Sequence, residues 1–214
     1  MPATCSALVD QIRYEADWSG ATDAQIVDVI NRVQLRLQRE NDFSWLEISS
    51  SKTLTTAASS AYLSYAQASD TKAIVTIYYV ETNKRTIIPY LDFFQALDVH
   101  PDSTKLGKPE HWSEWQDTVY IFPTSNSALS LESWYYRILP DLTLTATNSF
   151  VSAGYDALFF GSMSQYHMIM GEDQKAQVWG QMQLDAVKSI LTYHTRARER
   201  RRSSTIPNTP GRTG

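Results

Sequence analysis

The chain has 214 residues, 43% of them hydrophobic and 12% aromatic, and a net charge of −4. That is apolar mass enough for the core of one large domain, or of one domain carrying an insertion. The single cysteine, Cys5, excludes an intramolecular disulfide and suits a reducing compartment. The charges Asp10, Arg13 and Glu15 break up any secretory signal, and no apolar run reaches the ~18 residues of a membrane span, so a soluble chain made in a cytoplasm is expected.

Residues 4–18 read as a helix, with Leu8, Ile12 and Ala16 at four-residue spacing, Val9 beside them and Thr4 or Ser6 as cap; Ser19-Gly20 stops it. Thr22 or Asp23 caps a second helix, in which Ile26, Val29, Ile30, Val33 and Leu37 make one apolar stripe up to Asn41. Asp28, Arg32, Arg36 and Arg39 fall largely off the stripe. The period then changes. Trp45, Glu47 and Ser49 alternate with Leu46 and Ile48, and β-prone runs follow at 52–56, 61–66, 73–80 and 85–88, separated by polar clusters at 49–51, 57–60 and 67–71. Residues 74–80 carry the strongest strand signal, and Glu81-Thr82-Asn83-Lys84 reads as a hairpin turn.

Residues 90–99 predict a short helix with Leu91, Phe94 and Leu97 on one side, ended by His100-Pro101-Asp102. Residues 101–116 read as a polar loop. A strand at 118–122 is closed by Pro123, residues 124–127 make a turn, and a second long strand at 129–138 is ended by Pro140. On that strand alternation sends Trp134 and Tyr136 to one face and Tyr135 to the other. Residues 141–152 look irregular. Tyr155, Leu158, Phe159, Ser162, Met163, Tyr166 and Met170 then form a helical stripe, broken at Gly171. Val178, Trp179, Met182, Ala186, Val187, Ile190 and Leu191 continue at helical spacing in a last helix that runs into the arginines. The fold class is α+β: a bundle from 1–42 and 150–195, a β-rich insertion over 43–149, and an extended basic arm over 196–214.

Signs of chemistry are sparse. There is no P-loop, GxGxxG, GxSxG, HExxH or CxxC, and none of His100, His111, His167 and His194 has a Cys or second His at ligand spacing, so neither a cofactor nor a metal is expected. The only acid–base candidates are Glu110, Glu114 and Asp117 near Trp112, Trp115 and His111. Such a group could serve a muramidase-like sugar hydrolase, and a solvated loop has the same composition.

The charge pattern is more telling. Residues 195–214 carry six arginines against one acid, +5, which leaves −9 on residues 1–194. An acidic body with a basic Ser/Thr/Pro/Gly-rich end suggests a folded module and an arm that orders on a partner. Arginines bind phosphates, complement a helix C-terminus or dock on an acidic protein groove. The acidic body and the lack of interleaved aromatics favour the protein groove over nucleic acid, with a DNA-binding module as the alternative.

Three segments taken together resemble a known family. Ala24–Asn41 leads into Asp42-Phe43-Ser44-Trp45. Gly107-Lys108-Pro109-Glu110-His111-Trp112 precedes Thr118–Pro123, and Trp134-Tyr135-Tyr136 precedes Leu139-Pro140. Tyr155–Gly161 is followed by a Gly-Glu-Asp break and Val178-Trp179. This order resembles the head-to-tail adaptor (connector, head-completion) proteins of tailed double-stranded DNA bacteriophages, most of all those of short-tailed phages. The resemblance implies a structural virion protein without enzymatic activity, assembled in the host cytoplasm. It implies a ring, usually of twelve copies, that sits under the portal, extends the DNA channel and docks tail nozzle or fibre proteins. DNA would pass without specific binding, and no membrane is involved. By position, portal binding falls on the arm with Arg196, Arg198, Arg200, Arg201, Arg202, Ile206, Pro207 and Arg212. Trp112, Trp115 and Tyr135 are candidate aromatics between subunits.

Overall fold

Thr4 and Thr22 start the first two helices in the computed structural model of the chain. The structure describes residues 4–54, 62–82, 84–125 and 127–204, the side chains of 194 and 197–204 apart. It divides into two compact units, a helical one formed by Met1–Trp45 with Leu139–Gly214 and a β-rich one formed by Leu46–Ile138. The class is α+β, with helices toward both termini and the sheets between them.

In the helical unit, the Thr4 hydroxyl accepts from the Ala7 N–H and starts α1 (Cys5–Glu15). Thr22 starts α2 (Asp23–Glu40) with a full capping box. Its hydroxyl accepts from the Gln25 N–H, and its own N–H donates to the Gln25 side chain at 2.9 Å. The stripe read from the sequence, Ile26, Val29, Ile30, Val33 and Leu37, is buried. The first helix is shorter than expected, because Asp17 turns to a φ of 49° before Ser19-Gly20 is reached.

The return of the chain is sewn to α2 by its polar residues. Asn31 Nδ2 donates to the Leu142 carbonyl at 3.1 Å and Asn31 Oδ1 accepts from the Leu142 N–H at 2.7 Å. One turn on, Gln34 Nε2 donates to the Pro140 carbonyl at 3.1 Å, and Gln38 accepts from the Leu139 N–H. Residues 31, 34 and 38 share one helix face, so a single edge of α2 satisfies backbone groups that have no ladder partner. Beside it Phe43 stacks on Trp45, ring centroids 4.7 Å apart, and Phe150 meets Phe43 edge-on at 5.3 Å.

Residues 141–152, expected to be irregular, contain a short helix, α4 (Ser149–Ala153), started by the Asn148 side chain accepting from the N–H groups of Phe150 and Val151. Then α5 (Tyr155–Ile169) buries Leu158, Phe159, Met163 and Tyr166, whereas Met170 lies exposed beyond its end. Gly171, at a φ of 72°, makes the turn into α6 (Asp173–Ser204). The covered face of α6 follows most of the apolar stripe read from the sequence. Val187 is buried and Trp179, Ala186, Ile190 and Leu191 are half-buried; Ala176 and Gln183 join them, while Val178 and Met182 face outward. Small and polar residues turn inward because α5 comes close: the Ser164 hydroxyl donates to the Ala176 carbonyl at 2.8 Å, and Gln183 Nε2 donates to the Ala157 carbonyl at 3.2 Å.

The β-rich unit contains two antiparallel sheets. In the larger, β1 (Glu47–Leu54) pairs with β7 (Leu129–Arg137), and β7 pairs in turn with β3 (Thr71–Glu81), which forms a hairpin with β4 (Lys84–Ile88). The polar cluster Ser49–Ser51 does not break the chain as expected; it runs through the middle of β1, opposite Trp134, Ser133 and Glu132. In the smaller sheet β2 (Leu63–Ala66) pairs with β6 (Thr118–Phe122), and β6 with β5 (His111–Trp115). The strand β5 corrects the loop expected over 101–116. Its hairpin turns at Gln116 and Asp117, at φ 49° and 57°, a turn made without the glycine or asparagine that would have signalled it.

The core of this unit joins the two sheets through Leu63, Ile77, Ile88, Trp112, Val119, Ile121, Leu129 and Leu131. The other face of the smaller sheet presents Ser113, Tyr120 and Phe122, and α3 (Phe93–Val99) lies over it. Asp92 caps α3 by accepting from the N–H groups of Phe94 and Gln95. The covered face of α3 turns on Ala96, so Phe94, expected on an inner side with Leu97, is exposed.

Candidate functional site

Helix α6 has 32 residues, about 48 Å of helix, against 15 residues and about 22 Å for α5. It therefore outruns its partner. Thr192, Tyr193, Thr195 and Arg196 are all exposed, and the helical backbone continues through Arg198, Arg200, Arg201 and Arg202 to Ser204. Those arginines thus ride on a continuation of α6, where an extended arm was expected to begin. Ile206, Pro207 and Arg212 lie outside the described residues. A second group of arginines, Arg32, Arg36 and Arg39, lines a groove on α2 with Leu35 and Glu40. Arg36 is tied there, donating to Gln183 Oε1 at 2.9 Å, and Arg32 pairs with Asp28 at 2.6 Å.

Of the three aromatics expected between subunits, Trp112 is 5% exposed and Tyr135 7%, both within the β-rich unit, whereas Trp115 is 39% exposed. Alternation along β5 explains the contrast, since residues 112 and 115 point to opposite faces. Burial pushes the Tyr135 hydroxyl above its ordinary pKa. Trp115 stands in an aromatic ledge that the sequence did not reveal. It stacks on Phe93 at 5.5 Å and meets Phe94 edge-on at 5.1 Å, and Phe93 rests on Tyr120 at 4.9 Å. Phe94 is 57% exposed. An exposed pair of large rings, held from behind by a third, is the composition of an interface centre.

The acidic residues near the ledge do not form a catalytic pair. Glu114 and Asp117 lie exposed on the β5–β6 hairpin. Glu110 instead lies beside two histidines. His100 Nε2 is 3.1 Å from His111 Nδ1 and 3.9 Å from Glu110 Oε2. Burial lowers the pKa of His100. Phe122 organises this group. The His100 ring stacks on it at 5.9 Å, His111 is its partner across the β5–β6 ladder, and its carbonyl accepts from the Glu110 N–H at 2.7 Å. Residues 101–109 separate His100 from Glu110 and His111, so spacing along the sequence hides their meeting.

His167, buried on α5, pairs outward with a more exposed carboxylate. His167 Nδ1 lies 2.6 Å from Glu172 Oε2, and Lys175 donates to Glu172 Oε1 at 3.0 Å. Hydrogen bonds from Lys175 and His167 hold the Glu172 carboxyl below its ordinary pKa. Among the described residues no helix is long and apolar enough to cross a membrane.

A family model described as SU10 adaptor protein matches residues 3–213. A comparison with curated proteins returns no match.

Proposed function

This chain belongs to the SU10 adaptor protein family, the head–tail adaptors of tailed phages, and on that premise we propose that twelve copies close into a ring beneath the portal. Membership makes it a structural connector of the virion and not an enzyme. In the proposed ring the acidic body lines or flanks an extension of the DNA channel, where like charge keeps DNA sliding without specific binding. The basic end of α6 docks on the portal, and tail nozzle or fibre proteins attach below. The copies are made and assembled in the host cytoplasm.

The observation that carries this reading is the separation of charge along the chain. Residues 1–194 carry −9 and residues 195–214 carry +5, and the helix leaves its packing partner before the arginines begin. A cationic helix end suits an acidic groove on another protein. Repetition around a ring then multiplies contacts that are weak singly. Ring closure also needs two different faces of each copy to meet, and the ledge of Phe94 and Trp115 supplies an apolar one.

Deleting residues 196–214 tests the arm. The shortened chain is expected to keep its near-UV circular dichroism and thermal transition and to lose binding to purified portal. Portal binding at unchanged affinity would rule out the arm as the docking element.

A further inference from the structure

His100, Glu110 and His111 converge on one point of the β-rich unit, and we propose that they bind a single zinc ion that clasps the 101–110 loop to the end of α3. Their candidate ligand atoms all lie within 4.8 Å of one another. Four ligands at zinc–nitrogen distances of about 2.0–2.1 Å around a tetrahedron stand about 3.3 Å apart. The two ring nitrogens, at 3.1 Å, are already near that spacing, and a Glu110 carboxylate oxygen lies 3.9 Å from His100 Nε2.

A plain hydrogen bond between the two histidines accounts for less of this geometry. One proton between the rings satisfies two nitrogens and leaves the Glu110 carboxylate oxygen beyond hydrogen-bond distance of His100. A divalent cation accepts all three. Two imidazoles and one carboxylate are a donor set that suits zinc, with a position left for water. Neutral imidazole is the form that binds metal.

The site is built. His100 ends α3, its N–H bonded to the Ala96 carbonyl and its own carbonyl accepting from the Tyr62 hydroxyl. The loop that brings Glu110 back is pinned at several points. Asp102 Oδ1 accepts from the Thr104 N–H at 2.9 Å, and the Gly107 N–H donates to the Thr124 carbonyl at 2.8 Å. A side chain at Gly107 would meet Pro123 Cγ at 2.8 Å, so only glycine lets the loop lie this close. The clasp acts on the same face of the smaller sheet as the Phe93–Trp115 stack, and it fixes the helix on which Phe94 is presented.

The test uses the full chain, stripped with chelator and titrated with zinc by calorimetry and with cobalt by visible absorption. One zinc per chain, a raised melting temperature and the visible bands of four-coordinate cobalt are expected. His111→Ala is expected to abolish all three. Glu110→Gln, at an exposed carboxylate that the fold does not need, is expected to weaken binding at least ~tenfold with an unchanged metal-free transition. His167→Gln, in the other histidine cluster, is expected to leave binding intact. Absence of saturable binding by the wild-type chain, or equal binding by Glu110→Gln and wild type, overturns the assignment.

Discussion

Gln183 of α6 lies so close to Gly161 of α5 that a Cβ at position 161 would stand 2.1 Å from its Nε2, and 2.6 Å from Val33 Cγ1 of α2. Gln183 cannot simply swing away, because its amide donates to the Ala157 carbonyl and accepts from Arg36. Three helices of the bundle therefore meet over one missing side chain. Gly161→Ala gains up to ~1 kcal/mol of helix propensity but overpacks this junction at a cost of about 1–3 kcal/mol. A net loss of about 1–2 kcal/mol in urea denaturation is expected. Gly180→Ala meets only the Ser164 hydroxyl, at 3.3 Å, and is expected to be neutral or stabilising. Equal losses at the two glycines would contradict the close approach at Gly161.

Asn31 has a different task, since its amide mimics a strand partner for Leu142 through two hydrogen bonds. Asn31→Ala leaves the N–H and carbonyl of Leu142 without that partner. The expected cost is about 1–3 kcal/mol, read as a lower denaturation midpoint with an unchanged slope. Arg32→Ala, which removes an exposed pair one residue away, is expected to change stability by less than about 1 kcal/mol.

Glu172 sets an acid limb. Hydrogen bonds from Lys175, then His167, depress its folded pKa, so its contribution is present above the ordinary carboxylate range and is lost as pH falls through the depressed value. The melting temperature is expected to fall across that acid window, and Glu172→Gln to flatten this part of the profile. A profile identical in the variant would remove Glu172 as a source of the acid limb.

The proposed docking of the α6 end on the portal is electrostatic, so binding is expected to weaken as salt shortens the Debye length from about 10 Å at 0.1 M to about 3 Å at 1 M. Replacing Arg200, Arg201 and Arg202 by Gln is expected to lower affinity for portal and to reduce this salt dependence. Affinity that is flat with salt would point to apolar docking instead.

Helices with caps and covered stripes were legible in the sequence. Thr22 with Gln25, and the stripe from Ile26 to Leu37, announce α2 nearly to the residue. The limits of β6 follow from five β-prone residues before a proline. What stayed hidden has physical causes. The strand β5 turns back through positive-φ Gln116 and Asp117 and shows Glu114 and Trp115 to solvent, which reads as loop. On α6 the stripe marks the covered face only in part, since Ala176 and Gln183 also turn inward where α5 approaches closely and Val178 and Met182 face outward. Neither the His100–His111 meeting nor the Phe94–Trp115 ledge has a period, since each depends on how a loop brings β5 back beneath α3.

The central claim is a ring on the portal. Electron microscopy of the full chain mixed with purified portal tests it most directly. End-on views are expected in which a closed ring of adaptor copies, twelve by this proposal, caps one face of the portal and prolongs its channel. Portal particles that remain unchanged beside free adaptor, at concentrations where both are folded, would contradict it.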